Sequence, residues 1–281
     1  MYLSCLLIDV GSNPDRPRPG RLWLRNLYRV HQRLCMSFPS DSCKAEDPQF
    51  LRPYKPDNFT EQRHLADKPG HEVDQGELTD VHAPRDASRG FLYRIDPQPS
   101  PGRAVILVQS AVKPDWEYAF QNAHHLLAAL PEVKSVDPRF ANGQRLRFRI
   151  LANPVRKVSK KSLDFAGKPF DEQWKGKDVP VPTADLDKWL ERRAEPGWSA
   201  TKNSEGKQSP PGFRVSETIQ IQGGYVHVNK GLDQAGGRRV RSARYEGILV
   251  VTDADNFHNT LIRGIGPGKA FGFGLLSVAP A

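Results

Sequence analysis

The stretch that limits the possible folds most tightly lies near the C-terminus: Gly264-Ile-Gly266-Pro-Gly268-Lys269-Ala-Phe-Gly272-Phe-Gly274, with glycine at five of eleven positions. Glycine takes positive φ without a Cβ penalty and lets another backbone or a ligand come close. The chain must therefore turn tightly here, between a helix predicted from about Ala254 to Arg263 and the apolar segment Leu275-Leu-Ser-Val278. Two uses of such a loop are open from these residues alone. One is a plain turn. The other is a cradle in which backbone amides and the single cation Lys269 hold phosphate oxygens. A nucleotide-binding P-loop does not fit. Three residues instead of four separate Gly264 from Gly268, Ala270 stands where Ser or Thr would bind magnesium, and no strand leads directly in.

Charge narrows the partner. The 281 residues carry 41 Lys and Arg against 32 Asp and Glu, a net +9, which argues for an anionic partner without separating RNA from DNA or a membrane surface. Residues 41–89 hold seven Lys/Arg and eleven Asp/Glu, a net −4, so the rest of the chain carries +13. That segment has scattered Pro, Asp, Glu and His and no sustained period, and reads as a polar insertion at about 40–89. Its His64, His71 and His82 are widely spaced without cysteine support, which favours solvated side chains over a metal site. Length suits two domains, each able to bury a core. No run approaches eighteen uncharged apolar residues, and Met1–Asp9 lacks the basic start of a signal peptide. The expectation is a cytoplasmic protein with no membrane partner. Cys5, Cys35 and Cys43 are odd in number and lack C-x-x-C spacing, which favours reduced thiols.

Along the chain, Tyr2 to Val10 reads as a buried strand and Gly11 to Gly20 as a loop. Leu24, Leu27, Val30, Leu34 and Phe38 recur at helical steps and predict one helix. His31 projects into or beside that apolar arc, and Tyr28 sits at its margin one turn earlier. From the residues alone, His31 is more simply a satisfied core residue than a catalyst. Two strands, Phe91–Ile95 and Ala104–Ser110, a helix Trp116–Leu127 and a strand Val133–Val136 complete a βαββαβ order, that of a ferredoxin-like domain. The adjacent His124 and His125 read as surface residues.

The second half opens with Arg145-Leu-Arg-Phe-Arg-Ile150, whose alternation places three arginines on one face and three apolar residues on the other. Residues 145–177 hold ten Lys/Arg against three Asp/Glu, among them Arg156, Lys157, Lys160 and Lys161. This is either a solvated charged hairpin or a phosphate-facing one. A helix from Thr183 to about Arg193 follows, with Leu186, Trp189 and Leu190 inward, then strands Phe213–Gln222, Tyr225–Asn229 and Arg239–Thr252. With the helix Asp253–Arg263 these approximate a second ferredoxin-like unit. The predicted architecture is α+β, two tandem ferredoxin-like (RRM-like) domains spanning 1–140 and 141–281, with a basic hairpin and the glycine-rich loop in the second.

Four segments carry a resemblance to a known family: Gly266-Pro-Gly-Lys-Ala-Phe-Gly-Phe-Gly-Leu-Leu-Ser-Val-Ala-Pro280, Met1-Tyr-Leu-Ser4, Asn26-Leu-Tyr28-Arg-Val-His31-Gln, and Gly143-Gln-Arg-Leu-Arg-Phe-Arg-Ile-Leu-Ala-Asn-Pro154. Together they resemble the CasE family, the precursor-RNA endoribonucleases of the type I-E Cascade complex of CRISPR systems. The resemblance covers most of the chain outside 40–89, where the family usually has a shorter connection. It implies that Tyr28 and His31 match the Tyr-x-x-His pair lying at the scissile phosphate, reversing the reading of His31 as a core residue. It further implies that the basic hairpin with Arg156, Lys157, Lys160 and Lys161 enters the groove of an RNA stem-loop. Gly266, Gly268, Lys269, Gly272 and Gly274 would then bind the RNA backbone. The implied partners are the CRISPR repeat RNA stem-loop and other Cascade subunits, with no metal and no cofactor.

Overall fold

The computed structural model describes residues 1–13, 15, 18–38, 90–97, 101–159, 168–169, 171–195, 210–228 and 238–281. The chain divides into two compact units, Met1–Phe91 with Ile95–Val136, and Leu92–Arg94 with Asp137–Ala281.

In the first unit, β1 (Tyr2–Gly11) alternates so that Ser4, Leu6 and Ile8 are buried. It is followed by α1 (Pro19–Leu24), α2 (Leu27–Cys35), β2 (Phe91–Pro97), β3 (Gly102–Ser110), the short α3 (Trp116–Phe120) and β4 (Glu132–Ser135). The sheet order is β2-β3-β1-β4. β1 pairs antiparallel with β3, Leu6 opposite Ile106 and Ile8 opposite Ala104, and antiparallel with β4. β3 therefore fills the place between β1 and β2, as a split βαβ crossover requires. Val30 and Leu34 of α2, and Leu6, Ile8, Ile106, Val108 and Phe120, are all buried in this unit.

Three predictions about this half need correction. The apolar stripe from Leu24 to Phe38 is not one helix. The Asn26 side chain accepts a hydrogen bond from the Arg29 amide at 3.2 Å and starts α2 afresh, leaving Leu24 as the last residue of α1 and Phe38 beyond the end of α2. Nor is the segment up to Gly20 wholly a loop. Pro19 opens α1, and a Cβ on Gly20 would sit 2.2 Å from the Asp9 carbonyl oxygen, so this glycine permits close helix–strand approach. The predicted helix Trp116–Leu127 is also shorter, α3 ending at Phe120 and a separate 3-10 turn occupying His124–Leu126.

The second unit repeats the plan. β5 (Arg145–Ala152) is followed by a small hairpin of β6 (Val155–Lys157) and β7 (Asp178–Pro180), α4 (Leu186–Ala194), the long β8 (Phe213–Val228) and β9 (Arg238–Val251), α5 (Ala254–Arg263) and β10 (Leu276–Pro280). The sheet order is β10-β5-β9-β8, and the pairings of β5 with β9 and β10 and of β8 with β9 are antiparallel. The core gathers Leu146, Phe148 and Ile150 of β5, Trp189 and Leu190 of α4, Tyr245 and Leu249 of β9, and Phe257 and Leu261 of α5. Burial of each large apolar side chain contributes about 1.5–3 kcal/mol. The break predicted at Gly223-Gly224 does not occur. Both glycines run in line through one sixteen-residue strand, and β8 instead absorbs irregularity as bulges between Val215 and Glu217 and between Thr218 and Gln220. Two tandem ferredoxin-like units thus make up the molecule.

Among the described residues, no helix is long and apolar enough to cross a membrane. Cys5 and Cys35 are free thiols, and Cys43 lies outside the described residues. The whole predicted insertion up to residue 89, with His64, His71 and His82, lies outside them as well.

Candidate functional site

In the first unit, the Asn26 cap fixes where α2 begins, and the helix period then settles which residues face inward. Val30, His31 and Leu34 are buried and Tyr28 is half-buried. The His31 side chain keeps only 7% of its surface exposed. Its ring stacks on Phe91 at 5.4 Å between centroids and 26° between planes, and Phe91 stacks in turn on Phe38 at 5.2 Å. One helical turn on, the Cys35 sulfur lies 3.6 Å from His31 Nε2. The imidazole is thus oriented by an aromatic face and a thiol before any ligand arrives. Arg33, two residues on, serves the fold: its Nη1 donates to the Ala119 carbonyl and to Asn122 Oδ1, and burial lowers its pKa to about 10. His124 and His125 are both exposed.

In the second unit the alternation of β5 holds. Arg145, Arg147 and Arg149 are exposed, while Leu146, Phe148 and Ile150 are buried. Arg149 is engaged by Glu246 on the paired strand, Nε to Oε1 2.8 Å. Arg156 and Lys157 lie on β6 of the small hairpin, opposite Val179 and Asp178. Trp174, in the connection between β6 and β7, is partly exposed with the Lys177 ammonium 5.3 Å from its ring centroid. Lys160 and Lys161 lie outside the described residues.

All five glycines of the C-terminal loop have positive φ, from 70° at Gly264 to 91° at Gly274. The reason is visible in what a Cβ would meet. At Gly264 it would lie 2.7 Å from the Gly274 carbonyl oxygen, at Gly274 2.8 Å from the Ile265 carbonyl oxygen, and at Gly268 2.9 Å from the Phe273 ring. The loop is folded on itself. The amides of Gly272 and Gly274 donate to the carbonyls of Lys269 and Leu151, so these two glycines shape the loop from within. Gly266, Gly268 and Lys269 remain partly exposed. Lys269 opens a 3-10 turn between two left-handed glycines. Burial pushes its ammonium below the usual lysine range, and Arg263 adds to that shift.

One surface was missed by the sequence reading. β5 pairs with β9 only as far as Ala243, yet β8 and β9 continue together to Val228 and Arg238, leaving a two-stranded arm. On it Tyr225 is 46% exposed, with the Arg239 and Arg241 guanidiniums 4.3 and 4.9 Å from its ring centroid. Arg241 is itself buried and donates to Thr183 Oγ1 at 2.9 Å. The signal was available as Arg239-x-Arg241 in a strand, but the supposed break at Gly223-Gly224 hid that Tyr225 pairs directly with Arg241.

An aromatic face among arginines, a basic hairpin and a lysine-bearing glycine turn suit a negatively charged polymer with stacking bases. Comparison with known proteins agrees. A family model described as CRISPR associated protein matches residues 76–280. The CRISPR-associated endoribonuclease Cse3 of Thermus thermophilus is 34% identical over 195 residues, 68% of this chain and 80% of that protein. The Cascade subunit CasE of Escherichia coli K12 is 26% identical over 283 residues, covering 100% of both chains. A solved structure of Thermus thermophilus Cse3 bound to an RNA representing a pre-cleavage complex aligns with a TM-score of 0.59 and 27% identity, covering 99% of this chain and 98% of that one. Matched along nearly three quarters of its length by the family model and folded as its relatives are, this chain belongs to the CasE (Cse3) family of CRISPR-associated endoribonucleases.

Proposed function

We propose that this endoribonuclease binds the stem-loop of CRISPR repeat RNA, cuts the precursor at the 3′ base of the stem, and stays bound to the mature guide RNA as a subunit of Cascade in the cytoplasm. The observation that carries the reading is the alignment of nearly the whole chain with a relative solved on a pre-cleavage RNA. RNA supplies its own nucleophile. A base takes the proton of the 2′-hydroxyl, whose oxygen attacks the adjacent phosphorus. The bond to the 5′-oxygen breaks, and that oxygen leaves with a proton from an acid. The products are a 5′-hydroxyl end and a 2′,3′-cyclic phosphate or 3′-phosphate end. None of these steps requires a metal or an organic cofactor.

His31 has the chemistry for the base or the acid near neutral pH. Tyr28, one turn earlier on α2, orients the substrate or shares the proton transfer. Arg156, Lys157, Lys160 and Lys161 bind the stem, and Gly266, Gly268 and Lys269 contact the backbone phosphates through amides and charge. Gly272 and Gly274 contribute by holding that turn in shape. The Tyr225 arm adds a stacking face for an unpaired base.

A second reading is favoured by the enclosure of His31 against Phe91: a stem-loop holder without catalysis, with His31 structural. The two separate cleanly. Wild type and His31→Ala are incubated with end-labelled repeat RNA in EDTA while binding is followed in parallel. The endoribonuclease reading expects cleavage by wild type, a loss of about a hundredfold to ten-thousandfold in rate for His31→Ala, and unchanged binding. Binding without cleavage by wild type establishes the holder.

A further inference from the structure

The Lys269 turn has little of its own to hold it. Three residues, Lys269–Phe271, form a single 3-10 turn bounded by Gly268 at φ 81° and Gly272 at φ 79°. Glycine is the residue with the widest choice of backbone conformations. Two internal bonds close the turn, Phe271 N to Gly268 O at 2.8 Å and Gly272 N to Lys269 O at 3.2 Å. A further restraint comes from far away in sequence. Tyr93, on β2, donates its hydroxyl to the carbonyl oxygen of Ala270 at 3.0 Å, across 177 residues of chain. Its ring lies 3.1 Å from where a Cβ on Gly272 would be, so the glycine is what lets the ring under the turn. The next residue, Arg94, secures the exit of the loop: Nη1 donates to Ser277 Oγ at 2.9 Å and reaches the Leu275 carbonyl at 3.5 Å. Tyr93 is wholly buried and Arg94 nearly so, so neither is placed to touch RNA.

We propose that Tyr93 is a positioning residue for RNA binding. Its hydroxyl fixes the Ala270 peptide and thereby the direction in which Lys269 presents its ammonium. The proposal rests on the reading of Lys269 as a phosphate contact. Arg94 anchors the loop behind it, so that the turn is tied at its middle by one side chain and at its exit by the next.

Tyr93→Phe removes the hydroxyl and keeps the ring. Two measurements on the full chain test it. The first is hydrogen exchange of the Phe271 and Gly272 amides without RNA, which should quicken in Tyr93→Phe while amides of β5 do not. The second is affinity for a repeat stem-loop RNA in four proteins: wild type, Tyr93→Phe, Lys269→Ala and the double variant. Tyr93→Phe should weaken binding about threefold to tenfold, the range one lost hydrogen bond spans, and should weaken it no further when Lys269 is already absent. Unchanged exchange at the turn overturns the proposal whatever the RNA does. Equal losses in both backgrounds overturn it too, because a purely structural tyrosine acts without regard to Lys269. If Lys269→Ala binds like wild type while exchange quickens, the phosphate-contact reading fails. The tether then has no bearing on RNA, which also counts against the proposal.

Discussion

Helix α2 and the glycine loop place their distinctive residues in opposite ways. On α2 the side chain with the useful chemistry, His31, is nearly enclosed, held between Phe91 and Cys35. In the loop Gly264, Ile265, Gly272, Phe273 and Gly274 are buried, and the charged group, Lys269, is left partly exposed. In the proposed mechanism, where RNA provides the nucleophile, the two regions have different tasks. An acid or base must be aimed, and packing aims it. A phosphate contact must be reachable, so the loop is stiffened from below by its own backbone and by the buried Tyr93 and Arg94 side chains.

That contrast breaks if the loop glycines serve ligand approach more than packing. Gly274→Ala puts a Cβ 2.8 Å from the Ile265 carbonyl at φ 91°, and should cost about 2–4 kcal/mol from strain and overpacking together. Gly143 supplies the control: its φ is 83°, but nothing lies within 4 Å of a Cβ there. Gly143→Ala should cost about 1 kcal/mol from the backbone term alone. Urea unfolding of both variants decides the matter. Equal losses would mean that only backbone conformation calls for glycine in the loop, and the packing half of the contrast would be wrong.

A smaller effect tests whether binding surface and chemistry are separable. Tyr225→Ala should reduce affinity for repeat RNA about tenfold, within the range for one base stacked on an aromatic ring, with the salt dependence of binding unchanged. Arg239→Ala should instead lower the slope of log K against log salt by about one. In both, RNA that is bound at saturation should be cut at the wild-type rate. Slowed cleavage at saturation would place the arm in the chemistry and blur the distinction drawn from α2.

What the sequence disclosed follows from how local each cause is. The arginine face of β5 was legible because a strand's period of two needs only neighbours to be read, and the positive φ of the loop because glycine spacing states it directly. The βαββαβ order was legible twice over, since strand and helix periods alternate plainly. The division of α1 from α2 was not, because Asn26 acts through its cap bond while the apolar stripe runs on regardless. Gly20 and Gly223-Gly224 misled for a related reason: glycine marks turns, close approaches and in-line strand positions alike, and only the neighbour tells which. Tyr93 was invisible because its partner lies 177 residues away. Periodicity favoured His31 as core and only the family resemblance made it a catalyst, and its burial leaves that question to the cleavage assay.

The smallest effect sets the two regions against each other in stability. Lys269 has its pKa lowered in the folded protein, first by burial and then by Arg263. Holding it charged therefore costs the folded state something at neutral pH that the unfolded chain does not bear. The cost is present below the lowered pKa and fades as pH rises through it toward the ordinary lysine value. Lys269→Met keeps most of the apolar stem and removes the charge. It should raise the melting temperature at pH 7 by about 1–3 °C while weakening RNA binding and lowering its salt slope by about one. The gain over wild type should shrink as the pH is raised and the wild-type lysine loses its proton. A gain that persists undiminished at high pH would trace to packing, and a variant that bound RNA as well as wild type would remove Lys269 from the interface. In this reading the residue that must reach RNA is the one that leaves the free protein less stable than it could be.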